Sequence, residues 1–281
     1  MKIVVTGAKG MLGTDFCRYL KNNQIIPIEW DLPKIDLTDA NRTIQRINEI
    51  KPDVICHFAA YTDVDGSETN KGQAYAVNTQ GSWAVALGAR DVQAKLLYIS
   101  TDYIFDGRQN KPYLENDKPN PINYYGQTKF LGEKVIVQYV KKFFIVRTAW
   151  LYGKNGKNFI TTILKLALEK ETFEVVNDQV GSPTYTKDLC EPLLKLLNSE
   201  HYGMYHITNS GSCSWFDLAN AIINETGLKN RVLATTSDKI IRPAKRPTYS
   251  VLENHNYRKV FKESLRSWNE ALKDFLKEIQ T

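Results

Sequence analysis

Short runs of β-branched and apolar residues alternate with longer stretches of helical period through the first half of the chain. Lys2–Thr6, Ile25–Trp30, Val54–Phe58, Lys95–Ser100 and Phe143–Arg147 read as strands. Met11–Asn22, Asp39–Ile50, Gly72–Arg90 and Tyr124–Val140 read as the helices between them. Strands that are apolar nearly throughout and separated by helices predict a parallel sheet covered on both faces. Right-handed crossovers make that sheet doubly wound, an α/β fold of the Rossmann kind. After Ala149 the pattern loosens. Phe159–Lys170, Lys187–Leu197, Trp215–Thr226 and Leu265–Ile279 are predicted helices, Phe173–Val176 a strand, and Asp238–Ser250, with two prolines and four basic residues, a loop. The expected division is a sheet-forming domain over 1–150 and a smaller lobe over 151–281, with some later segments returning to the first sheet.

Composition changes this picture little but excludes several alternatives. The 281 residues are 42% hydrophobic and 24% charged, ordinary for a globular protein. No apolar run nears the roughly 18 residues needed to span a bilayer. The first strand is too short to be a secretory signal, so a soluble, cytoplasmic protein without membrane contact is expected. Cys17, Cys56, Cys190 and Cys213 form no CxxC pair and read as reduced thiols. His57, His201, His206 and His255 have no ligand spacing, and no catalytic metal is expected. The net charge of +6 fits either an anionic small ligand or a solvated surface; no basic run of nucleic-acid character is present.

The first chemical motif lies where strand one meets helix one, in Thr6-Gly7-Ala8-Lys9-Gly10-Met11-Leu12-Gly13. Gly7 allows a tight turn, Gly10 lets a pyrophosphate approach the backbone, and Gly13 lets the helix pack closely. The helix start offers unpaired N–H groups and a favourable dipole to phosphates. Asp31, 18 residues after Gly13, ends the second strand and reads two ways. It accepts from an adenosine ribose, which favours NAD over NADP, or it serves as a turn residue before Pro33. Lys9 offers the competing option of attracting a 2′-phosphate. Asp36 and Leu37 either flank an adenine or lead into a helix cap.

With GxxGxxG spacing, Phe58-Ala59-Ala60 after the third strand, Ser100-Thr101 after the fourth, and Tyr125-x-x-x-Lys129 on a helix, the chain resembles the extended short-chain dehydrogenase/reductase family. Tyr125 and Lys129 are four apart and share one helix face. Reducing a carbonyl needs a hydride from a nicotinamide and a proton for the developing alkoxide. An ammonium beside Tyr125 is expected to stabilise its phenolate and lower its pKa, while also reaching the cofactor ribose. Thr101 is placed to donate a hydrogen bond to the carbonyl oxygen. Asn78 either supports a proton path or satisfies a buried amide.

Finer segments point to one branch. Ser100 to Gly107, Pro121 to Lys129, Arg147 to Tyr152, Asn177 to Thr184 and Arg246-Pro247 are similar to dTDP-4-dehydrorhamnose reductases. That resemblance implies reduction of the C4 ketone of a dTDP-sugar by NADPH or NADH, in a monomer or homodimer. It implies a cofactor site of Gly10, Met11, Leu12, Asp31, Asp36, Leu37, Ala59, Ala60, Tyr61, Thr62, Ile99, Tyr125 and Lys129. It implies a sugar pocket of Val64, Asp65, Thr101, Asp102, Tyr103, Tyr125 and Trp150. Asp65 and Asp102 suit sugar hydroxyls, and Trp150 offers a flat face to a deoxysugar or is a core aromatic. Arg242, Lys245 and Arg246 are placed to meet the substrate's diphosphate, with a solvated basic loop the equal alternative for the first two. Some members of the branch bridge dimers through magnesium held by acidic residues. Asp15 matches one such position, but Lys187 stands where a second acid is expected, so a metal-bridged dimer is not expected.

Two other readings share the scaffold. A nucleotide-sugar 4-epimerase would regenerate its bound cofactor. A dehydratase needs an Asp-Glu pair after Thr101, and Asp102-Tyr103 lacks the second carboxylate. A non-catalytic NAD(P)-binding regulatory subunit is the alternative from a different class.

Overall fold

A computed structural model describes residues 1–280. Five strands, β1 (Ile3–Thr6), β2 (Ile28–Trp30), β3 (Val54–His57), β4 (Lys95–Thr101) and β5 (Phe143–Thr148), with Gly203–His206 as the sixth, form one parallel sheet. Its order is Gly203–His206, β5, β4, β3, β1, β2. The chain runs from β1 outward to β2, then crosses back to β3 on the other side of β1. That reversal leaves a crevice beyond the carboxyl ends of β1 and β3, where ligands bind in doubly wound sheets. The fold is thus the doubly wound Rossmann-type α/β sheet that the strand pattern predicts.

Both faces of the sheet are covered. Helix α1 (Met11–Asn22) and the helix Thr186–Leu197 bury Phe16, Leu20, Leu189 and Leu193 on one side. Helix α2 (Ala40–Ile50) with Ser82–Asp91 and Tyr124–Tyr139 buries Ile47, Val85 and Ile136 on the other. A separate cluster built on Ile160, Phe173, Leu218, Leu272 and Phe275 forms the smaller C-terminal part. There Thr172–Val176 pairs with Arg231–Thr235, outside the main sheet. No helix among the described residues is long and apolar enough to cross a membrane.

Three local departures from the sequence pattern have physical causes. The second strand is shorter than Ile25–Trp30: the Ile25 amide donates to Leu20 O and closes α1, and Pro27 has no N–H to give a ladder. The run Gly72–Arg90 is not one helix but Lys71–Tyr75, a π-helical turn Ala76–Gly81, and Ser82–Asp91. Such turns recur at functional sites, and this one carries Asn78. A short helix, Val64–Thr69, follows Asp63, whose side chain accepts from the Gly66 amide and caps it.

Candidate active site

The glycine turn has a shape only glycine permits. Gly7 has φ +67°, and a Cβ there would lie 2.7 Å from Ala59 N. A Cβ on Gly13 would lie 2.0 Å from Gly7 O, so α1 starts against its own turn. Gly10 caps α1 without a side-chain acceptor, leaving the first-turn N–H groups to an outside partner. Asp31 accepts from the Lys9 amide at 2.8 Å, and so ties β2 to this turn. Asp36 accepts from both the amide and the hydroxyl of Thr38, which holds its carboxyl below the ordinary value.

The other wall comes from the helix Tyr124–Tyr139. Asn123 caps it by accepting from the Gly126 amide at 2.8 Å and donates to Lys245 O on the Asp238–Ser250 loop. The cap fixes Tyr125 in the first turn. Lys129, 3% exposed, donates from Nζ to Ile99 O at 2.7 Å and lies over the Tyr98 ring at 4.0 Å. Asn78 clamps the loop after β3: it accepts from Tyr61 N at 2.8 Å and donates to Tyr61 O and to Thr128 Oγ1.

One cavity of about 880 Å³ joins these walls. Of the residues predicted for the cofactor, Gly7, Gly10, Met11, Leu12, Gly13, Asp31, Asp36, Leu37, Ala59, Ala60, Tyr61, Thr62, Ile99, Tyr125 and Lys129 all line it. Val64, Thr101, Asp102, Tyr103 and Trp150 from the predicted sugar pocket do so too. Asp65 and Arg246 do not. They meet each other in a two-pronged ion pair of 2.6 and 2.8 Å, with the Ala244 amide also donating to Asp65. Arg242 approaches the same carboxylate at 3.5 Å. Arg246 Nη1 also donates to Ala244 O at 2.7 Å, which turns the guanidinium back onto its own loop.

The electrostatics differ from expectation at one point. Tyr125 is not lowered but pushed up to about 12, because its phenol is buried; a hydrogen bond with Thr101 opposes that, and Asp102 adds to it. The amine of Lys129, turned to Ile99 O, is itself pushed down to about 7 by burial, with Glu133 one turn on holding it up. Asp102 is pushed up to about 7 by burial, against hydrogen bonds from Ser250 and Thr101.

Several lining residues went unread in the sequence. Thr148 presents a buried hydroxyl without a partner to the cavity, beside that of Ser100 from the Ser100-Thr101 motif; Thr148 is cross-strand from Thr101, so the register of β4 and β5 identifies it once the strands are paired. Trp215 stacks on Trp150 with centroids 3.3 Å apart and planes 4° apart, and no local signal marks it. Asn155, Gly156 and Lys157 complete the rim. Away from the cavity, Asp15 accepts from Thr186 Oγ1 at 2.5 Å, and Lys187 pairs with Glu278 at 2.7 Å. Among the described residues no group of three or more acidic, histidine or cysteine side chains is arranged to hold a metal ion.

The model of the RmlD substrate binding domain matches residues 1–281. The chain is 40% identical to the spore coat polysaccharide biosynthesis protein SpsK of Bacillus subtilis, over 99% of this chain and 97% of that one. A dTDP-4-dehydrorhamnose reductase from Clostridium acetobutylicum superposes with a TM-score of 0.97 at 40% identity, covering 100% of both chains. The Bacillus anthracis dTDP-4-dehydrorhamnose reductase in complex with NADP superposes with a TM-score of 0.96 at 40% identity, covering 99% of this chain and 100% of that one.

Proposed function

The chain belongs to the RmlD substrate binding domain family, and from that premise we propose that it reduces the C4 ketone of dTDP-4-dehydro-L-rhamnose to dTDP-L-rhamnose, with NADPH or NADH as the hydride source. The observation that carries this reading is the meeting of Tyr125, Thr101 and Lys129 in the cavity that also contains the glycine turn.

A dinucleotide suits this cavity. Its diphosphate would rest on the uncapped N–H groups at the start of α1, where a side chain at Gly7 or Gly13 would collide with backbone. Asp31, Asp36 and Leu37 would hold the adenosine end, and Ala59 to Thr62, Ile99 and Lys129 the nicotinamide end. Bound there, the cofactor supplies a hydride. Tyr125 gives its proton to the ketone oxygen as that oxygen gains charge, and Thr101 donates a hydrogen bond to the same atom. Burial keeps the phenol protonated until then. The first-turn position of Tyr125, at the positive end of its helix, and the nearby Lys129 favour the phenolate that remains.

On the sugar side, Val64, Asp102, Tyr103 and Trp150 contact the deoxysugar, while the Asp65–Arg246 pair shapes the mouth. Residues 1–150 thus hold the dinucleotide and supply these sugar contacts, while 151–281 add Trp215 stacked on Trp150 and Arg246 bound to Asp65. The reading holds for a monomer and a homodimer alike. Four unpaired thiols are ordinary in the cytoplasm, where we place the reaction.

The test mixes the full chain with NADPH or NADH and dTDP-4-dehydrorhamnose. One mole of oxidised cofactor per mole of dTDP-rhamnose supports the reductase. Isomerised sugar without net oxidation would point to an epimerase, and no turnover to a binding subunit.

A further inference from the structure

The hydroxyl of Thr101 has one proton and two lone pairs, and more claimants than that allows. The Tyr103 amide donates to Oγ1 at 3.2 Å and takes one lone pair. Asp102 Oδ1 lies 3.1 Å away and, as a carboxylate, only accepts; it then holds the single proton of Thr101. With that proton taken, the Tyr125 phenol beside Thr101 can pair with it only by donating into the remaining lone pair. In that arrangement both protons point away from a ketone in the cavity. Protonating Asp102 on Oδ1 reverses the chain: Asp102 donates to Thr101, Thr101 donates outward, and Tyr125 keeps its proton for the substrate. Oδ2 accepts from Ser250 Oγ at 2.6 Å in either state.

We propose that Asp102 is a positioning residue that works as the neutral acid, donating to Thr101 Oγ1 so that the Thr101 and Tyr125 protons are both directed at the ketone. This rests on the reductase reading. The surroundings favour the acid. Asp102 is 2% exposed and, among the described residues, is paired with no lysine or arginine. The titratable groups around it are the phenols of Tyr125 and Tyr103; Arg246, on the loop that carries Ser250, is bound to Asp65. Lys129 lines the same cavity and is held at Ile99 O. Burial accordingly pushes the Asp102 carboxyl up to about 7.

The sign of the pH dependence follows. The acid form is lost as pH rises through about 7, so kcat/KM should fall about tenfold per pH unit above that midpoint. Asp102→Asn keeps a permanent donor to Thr101 and an acceptor for Ser250, and should flatten this alkaline limb. Ser250→Ala removes a hydrogen bond that favours the carboxylate, and should move the limb to higher pH. A limb set by Lys129 would stay where it is in both variants, and that result overturns the proposal. A second readout needs no turnover: carbon-13 NMR of the aspartate carboxyls in the full chain, with the Asp102 signal identified by its loss in Asp102→Asn. Titration near neutrality supports the proposal, and titration in the ordinary carboxylate range overturns it. Failure of the unaltered chain to oxidise NADPH counts against the reductase reading instead.

Discussion

Two turns below Tyr125's first turn, the helix Tyr124–Tyr139 is fastened to β5 by a buried ion pair whose removal has a calculable cost. Arg147 and Glu133 have side chains 2% and 1% exposed and meet as a fork, Nε to Oε1 at 2.9 Å and Nη2 to Oε2 at 2.8 Å. Arg147 Nη1 also donates to Glu115 O at 3.0 Å. Arg147→Met keeps the apolar stem but strands a carboxylate and a carbonyl where no water reaches. Breaking one side of such a pair costs about 3–5 kcal/mol, whereas replacing both sides with apolar residues is often close to neutral. Whole-domain stabilities are about 5–15 kcal/mol, so the single variant should lose about a fifth or more of its stability. Urea unfolding followed by tryptophan fluorescence measures this in Arg147→Met, Glu133→Leu and the double variant. We expect a coupling energy of at least about 2 kcal/mol, with the double variant more stable than Arg147→Met. Losses that simply add to within about 0.5 kcal/mol would refute the reasoning.

Three further outcomes follow from the geometry. Gly13→Ala puts a Cβ 2.0 Å from Gly7 O; the turn and α1 must separate, and affinity for NADPH by calorimetry should fall at least tenfold, whereas unchanged affinity would contradict the cradle. Two indoles stacked at 3.3 Å should give an exciton couplet in far-ultraviolet circular dichroism, lost in both Trp150→Phe and Trp215→Phe; a couplet that survives either change refutes the stack. His57 is pushed down to about 3 by burial and hydrogen-bonds Thr6 and Ser82. Its NMR signals should therefore not move between roughly pH 5 and pH 8, where an ordinary histidine titrates.

What was legible in the chain was whatever depends on neighbours in sequence. The doubly wound sheet follows from short apolar strands alternating with helical stretches, and the glycine turn from a motif seven residues long. Tyr125 and Lys129 were found because four residues on a helix means one face. The rest depends on partners that sequence distance hides. Arg246 reaches Asp65 across 181 positions and Ser250 reaches Asp102 across 148, so the loop Asp238–Ser250 is tied to the site by partners its own sequence does not name. Gly203–His206 carries too few apolar residues to announce the sixth strand, and it is stabilised by β5 beside it. The expected lowering of Tyr125 failed for a similar reason. Spacing says which groups share a face, but not how dry the site is, and desolvation here outweighs the opposing hydrogen bond with Thr101.

The central claim is that Tyr125 delivers the proton that accompanies hydride transfer to a nucleotide-sugar ketone. The direct measurement compares the unaltered chain with Tyr125→Phe, using NADPH and dTDP-4-dehydrorhamnose at saturating concentrations, with cofactor affinity determined separately. Turnover should drop by about 10²- to 10⁴-fold while NADPH binds as before. Turnover that persists undiminished in Tyr125→Phe would contradict the claim.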